Sequence, residues 1–330
     1  MKKIALLSLA LIGAAPSAPV LSPNEIVAAA KAEDWVAIAP SDLLVMDLAA
    51  DRDGKARRVV IQLMPAPFSQ GWVGNIRTLA AAQWWDGTSV NRVQDNYVAQ
   101  WGDASEKKAL PNGLAVVPQS EYETPLDFHV LLIGIAGGGG MAGTPFPYFK
   151  AFSMKDNYAI TSGFSKGWPV AASRAWPKSL REMARLERKP NSMKFWPVHC
   201  YGMVGVGRNM PPDTGTGAEL YTVIGHAPRH LDRNIALVGR VIAGIEHLSS
   251  LPRGTGDLGF YKTVDERVPI LSVRIGNTVA GLPRYEYLST ESVSFAAYAD
   301  ARANRRDAFF ITPAGGADIC NIPVPVRVGK

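Results

Sequence analysis

Alternation is the first strong signal along the chain. In "LLVMDL" (43–48) and "RRVVIQL" (57–63) apolar side chains recur at the period of a strand, with Val59, Ile61 and Leu63 on one face. The "DRDG" between them (51–54) is a turn, so the pair reads as a β-hairpin. The period then lengthens. Over 69–85, Val73, Ile76, Leu79 and Ala80 fall at helical spacing behind Ser69 as N-cap. Alternation resumes in "NRVQDNYVAQWGD" (91–103), which predicts strands that put Arg92 and Gln100 on one face before a tight Trp-Gly-Asp turn. Ahead of the hairpin, "SPNEIVAAAKAEDW" (22–35) reads as a short capped helical piece.

From 104 to 196 the pattern breaks down. Prolines, glycines and a "GGGG" at 137–140 give it the character of a loop-rich insertion, with one clear helix, "SLREMARLER", behind a Ser179/Glu182 capping box. The apolar run "FHVLLIGIAGGGG" (128–140) has the composition of a strand buried beneath it. Residues 199–275 return to short β-type runs, with a brief helix near Ala243–Leu251 and a last strand in "PILSVRIG". The tail holds a helix over Ser294–Arg306, with Phe295, Tyr298 and Arg302 in register. Many short strands and few helices predict a mainly β barrel or sandwich with decorations.

The N-terminus changes the picture of where the chain works. Lys2 and Lys3 precede an apolar run, Ile4–Ala15, followed by small residues, which is the layout of a secretory signal peptide cleaved after Ser17 or Ala18. The run is too short to span a bilayer, and no later stretch is longer, so stable membrane insertion is not expected. Export to a bacterial periplasm is. The net charge of +6 is spread without long basic runs, which argues against nucleic acid as a partner. Two cysteines, Cys200 and Cys320, are either a disulfide or two buried thiols.

Three short motifs carry less than they promise. "GFSKG" (163–167) matches the G-x-S-x-G nucleophile elbow, but that device needs a helix directly after the serine, and Trp168-Pro169 follows Ser165. His226 and His230, with His199, Cys200 and Asp232 elsewhere, suggest zinc, yet "GHAPRHLD" is a loop with a proline between its histidines. The "GGGG" lacks the lysine and helix of a phosphate loop. No metal or other cofactor is expected.

Separated segments in a fixed order are more informative. "RVVIQLMPAPFSQGWVGNIRTLA" (58–80) resembles the second strand and first helix of the cyclophilins, a family of peptidyl-prolyl cis-trans isomerases. "NRVQDNYVAQWGD" is similar to that family's H-R-V-x-x-x-F-M-x-Q-G-G-D, "GMVGVGRNMPPDTGTGAELYTVIGHAPRHLDRNIALVGRVIAGIEHLSSL" (202–251) to its remaining wall, and "PILSVRIG" to its closing strand. The resemblance implies an eight-stranded antiparallel barrel capped by two helices, with the insertion and tail packed outside. The implied organisation is a signal at 1–18, an N-terminal segment and first strand at 19–56, a cyclophilin-like domain at 57–275 interrupted by 104–196, and an extension at 276–330.

It further implies that Arg92 is the catalytic arginine. Tyr97 stands for a phenyl ring that packs on the substrate proline, Val98 for a methionine and Gln100 for the active-site glutamine. Val204 and Gly205 lie on the strand whose backbone binds the peptide, and Leu231 keeps the family's residue. Glu219 replaces a second glutamine, Tyr221 a phenylalanine, His230 a tryptophan and Ile235 a histidine. Glu219 is placed to pair with Arg92. The implied function is isomerisation of X-Pro bonds in proline-containing peptides and unfolded exported proteins. The alternative is a catalytically weak binding module or holdase.

Overall fold

A computed structural model of the chain describes residues 20–125, 150–151, 156–174, 185 and 193–329. The signal-like segment, the "GGGG", the run at 128–140 and nearly all of "SLREMARLER" lie outside them. Helix α1 (Pro23–Ala28) begins at Ser22, whose side chain and Glu25 form a capping box. β1 (Trp35–Ile38) follows, then the hairpin of β2 (Leu43–Leu48) and β3 (Arg57–Leu63), paired from Leu43↔Gln62 to Leu48↔Arg57. Helix α2 is shorter than the spacing predicts, Gln70–Ala81, and Ser69 caps it differently: its φ of 54° is left-handed and its side chain makes no cap hydrogen bond. β4 (Ser89–Val93) and β5 (Val98–Gly102) come next. Trp101 and Gly102 finish β5 rather than forming a turn, because the indole is needed in the core, where it is 1% exposed.

The insertion contributes β6 (Thr124–Pro125), β7 (Lys150–Ala151), β8 (Thr161–Ser165), β9 (Trp168–Ala172) and β10 (Lys194–Pro197). These form a five-stranded sheet in the order β6-β10-β9-β8-β7, which corrects the expectation of a loop-rich region. Phe164, Trp168, Val170 and Trp196 are buried in the core, and that burial fixes strands despite the glycines and Pro169. After it come β11 (Met203–Val206), β12 (Leu220–Val223), β13 (Leu237–Ala243), a one-turn α3 (Glu246–Ser249) and β14 (Val268–Ile275).

Eight strands close into an antiparallel barrel in the order β11-β12-β5-β4-β14-β2-β3-β13. Met46, Val59, Ile61, Val90 and Val206 fill it, and α2 packs on it through Trp72, Ile76 and Leu79. The tail holds β15 (Tyr285–Leu288), α4 (Val293–Ala303) and β16 (Val326–Val328). β15 lies between β1 and β16 in a separate three-stranded sheet. α4 starts at Ser292, whose hydroxyl accepts from Phe295 N, and buries Phe295 and Tyr298 as the register predicts. Cys200 and Cys320 form a disulfide that ties the tail to the segment before β11. Among the described residues no helix is long and apolar enough to cross a membrane.

Candidate active site

The β4–β5 ladder sets Arg92 directly opposite Gln100, as their parity predicts. Both open into a cleft of about 840 Å³ on the barrel wall. Three of the Arg92 N–H groups are occupied: Nε donates to Leu258 O at 2.8 Å, Nη1 to Gln100 Oε1 at 3.1 Å, and Nη2 to Gln94 Oε1. The guanidinium also lies 5.8 Å from the Tyr97 ring centre and 5.2 Å from that of Phe260. Burial lowers its pKa from 12.5, but a guanidinium remains charged in this setting. It is therefore a cation held at a fixed angle.

Beside it Val98 and Tyr221 are buried, with Tyr97 and Ile235 packed against them, and Leu231 completes an apolar cup. Tyr221 brings a hydroxyl that could have spoiled such a cup. It is turned away instead. Gly205 on β11 leaves the space, since a Cβ there would lie 2.3 Å from the Tyr221 oxygen. His199 Nε2 is 2.9 Å from that oxygen, and His199 Nδ1 is 2.9 Å from Asp232 Oδ1. The carboxylate fixes the proton on Nδ1, so the phenol donates to Nε2. Burial holds His199 neutral and raises the phenol well above its ordinary pKa of 10.0, so neither group ionises. Asp232 in turn accepts from Arg229 Nε at 2.7 Å, and Arg229 Nη2 donates to Asp156 of the insertion at 2.9 and 3.1 Å.

Glu219 stands at the other end of the cleft. Its carboxyl occupies the space above Gly102, where a Cβ would come within 1.9 Å of Oε1. It makes no ion pair with Arg92, contrary to the expectation; Gln100 lies between them, its Nε2 donating to Glu219 Oε2 at 3.4 Å. Burial pushes the carboxyl up to about 7, against hydrogen bonds from the Gln100 and Asn91 side chains and the Asp103 backbone.

Of the residues singled out in the sequence, Arg92, Tyr97, Val98, Gln100, Glu219, Tyr221, Leu231 and Ile235 line this cleft. Val204 and Gly205 do not: β11 is paired along both edges, by β12 and β13, and the chain first reaches the cleft past the end of β11, from Gly207 onward. His230 is exposed and stacks on the outer side of Tyr97, 6.4 Å between ring centres. Sequence reasoning missed Leu258 and Phe260. They arrive on a glycine-rich loop that has no periodicity and meets β4 at the isolated bridge Arg92↔Phe260, with Gly254 N and Tyr261 N donating to Val93 O and Asn91 O. It also missed the Tyr221–His199–Asp232–Arg229–Asp156 network, in which only Arg229 and Asp232 share a segment.

The remaining motifs dissolve into structure. Ser165 ends β8, and Lys166-Gly167 forms the two-residue turn to β9, so no helix follows the serine and no nucleophile elbow exists. Cys200 is in the disulfide and His199 in the buried network, while His226 and His230 sit on the surface.

A closed antiparallel barrel with an arginine-edged apolar cleft is the architecture that the resemblance to the cyclophilins implies. The model of the cyclophilin type peptidyl-prolyl cis-trans isomerase/CLD family matches residues 53–275, more than half of the chain, and the protein belongs to that family of isomerases. No curated protein sequence matches it. Among solved structures, the cyclophilin AquaCyp293 from Hirschia baltica is similar, with a TM-score of 0.63 and 20% identity over 90% of this chain and 94% of that one. A cyclophilin type peptidyl-prolyl cis-trans isomerase of Cryptosporidium parvum, solved in the presence of the dipeptide Ala-Pro, aligns at a TM-score of 0.35 and 11% identity, over 70% of this chain and 98% of that one.

Proposed function

We propose that the protein isomerises X-Pro bonds in exported, partly folded proteins, working in the periplasm with Arg92 as catalytic residue. The observation that carries this reading is the Arg92 guanidinium, tied on three sides and set beside an apolar cup. An X-Pro bond resists rotation because its nitrogen donates into the carbonyl, with a barrier of ~18–20 kcal/mol. Twisting localises the lone pair on that nitrogen. A cation aimed at it interacts more strongly with the twisted transition state than with either planar isomer, and only such a difference accelerates the reaction. Tyr97, Val98, Tyr221, Leu231 and Ile235 grip the ring while the acyl side turns. Rotation breaks no bond and transfers no proton, so the chain's own residues suffice. The apolar N-terminal run with its leading lysines supports export.

The substitutions at 219, 230 and 235 favour a second reading, a binding module or holdase with weak catalysis. Exchange spectroscopy of a proline peptide at equilibrium decides between them. Arg92→Ala should slow exchange by about 10²–10³, the loss seen when a transition-state donor is removed, while peptide binding weakens far less. Arg92→Lys should recover only part, since a point charge on a flexible stem does not reproduce the fork. A folded Arg92→Ala protein that exchanges at the wild-type rate refutes the catalytic role. A wild-type protein that binds unfolded chains without exchange is the holdase.

A further inference from the structure

Gln100 is held at both ends by groups of opposite character. Its carbonyl accepts from Arg92 Nη1 at 3.1 Å and its amide nitrogen donates to Glu219 Oε2 at 3.4 Å. A guanidinium can only donate and a carboxylate can only accept. Between those two, the amide has one matched orientation, with its oxygen toward Arg92. Protonating Glu219 gives that end a donor of its own and removes the preference. The amide is then tied to a neutral partner, and the Nη1 side of Arg92 is held less firmly than the sides fixed by Leu258 O and Gln94.

We infer that Glu219 is a positioning residue for Arg92, acting through the Gln100 amide, and that isomerisation depends on its carboxylate being ionised. This rests on the reading of Arg92 given above. The geometry supplies the reason for a carboxyl at this point. Glu219 is seated over Gly102, hemmed in by β4 and β5, and makes no ion pair among the described residues. The charged groups around it are Asp103 at the end of β5 and Arg92 beyond Gln100. Along the same cleft lie Glu106, Lys108, Arg208, Asp213 and Arg267. With its pKa at about 7, the carboxyl changes state across the neutral range, where such a dependence is measurable.

The test is the pH profile of kcat/KM for a proline peptide in wild type and Glu219→Gln. The wild-type value should rise by about fivefold from the acid to the alkaline limb, the difference between a hydrogen bond to a neutral and to a charged acceptor. Its midpoint should lie near the carboxyl's pKa of about 7, and the change should appear in kcat rather than KM. Glu219→Gln should be flat, at the wild-type acid level. The side-chain amide resonances of Gln100 provide a readout besides activity: they should titrate with the same midpoint in wild type and not in Glu219→Gln. An active wild type with a flat profile, a Glu219→Gln protein that keeps the alkaline rate, or a Gln100 amide that does not titrate overturns the inference. A wild type with no isomerase activity overturns the catalytic reading instead, and the Gln100 titration then decides the coupling by itself.

Discussion

Replacing Glu219 by glutamine should make the protein more stable in alkali and leave it unchanged in acid. The Glu219 carboxyl has an ordinary pKa of 4.5, and burial against β4 and β5 raises it to about 7 in the folded chain. Between those values the folded protein holds a proton that the unfolded chain has released, so stability falls as pH rises. Well below 4.5 both states are protonated and the full stability is present; above 7 both are ionised and the whole penalty applies. The interval from 4.5 to about 7, at about 1.4 kcal/mol per pH unit, amounts to about 3 kcal/mol. Glutamine fills the same space without a charge to desolvate, so it should recover most of that in alkali and nothing in acid. Urea unfolding of both proteins across the pH range is the assay. Two stability curves that run parallel through neutrality would refute the account, because the difference must open between those two pKa values. A residue that lowers stability while aligning Arg92 is the compromise expected of a functional site.

Arg229→Met should cost about 3–5 kcal/mol in urea unfolding, because it strands the Asp156 and Asp232 carboxylates, 2% and 4% exposed, without their cation. Adding Asp156→Asn should restore part of the loss, and a cost below about 1 kcal/mol would contradict the buried network. Changing both Cys200 and Cys320 to serine opens a loop of 120 residues, worth about 5 kcal/mol in the chain-entropy treatment, and should lower the Tm sharply. Unreduced native protein with two alkylatable thiols would contradict the bridge.

The hairpin of β2 and β3 and the opposition of Arg92 to Gln100 were legible because strand parity is a local property. Once two strands are recognised, counting residues decides which side chains share a face. The expected Glu219–Arg92 pair does not form: Gln100 stands between the two side chains, and that intervening amide could not be inferred from spacing. The insertion misled because glycine and proline outweigh the few apolar residues in "TSGFSKGWPVAA" until the core that buries Phe164 and Trp168 is known. Leu258, Phe260 and the network beneath Tyr221 left no trace in any single segment. Those contacts join positions as far apart as 92 and 258 or 156 and 229, and only the closed barrel brings them together.

The three-stranded sheet also sets a timetable for the nascent chain. Trp35 of β1 pairs with Leu288 and Ile38 with Tyr285, and β15 takes β16 as its other neighbour. A ribosome adding about 5–20 residues per second needs roughly 10–50 seconds to travel from the first of these strands to its mate. The barrel waits almost as long, since β2 finds β14 only through pairs such as Leu44↔Ile275. Throughout that interval the apolar row of the early hairpin has no layer to cover it. Synthesis must therefore run past β14 and β15 before this chain can collapse correctly, and until then the early hairpin needs shelter.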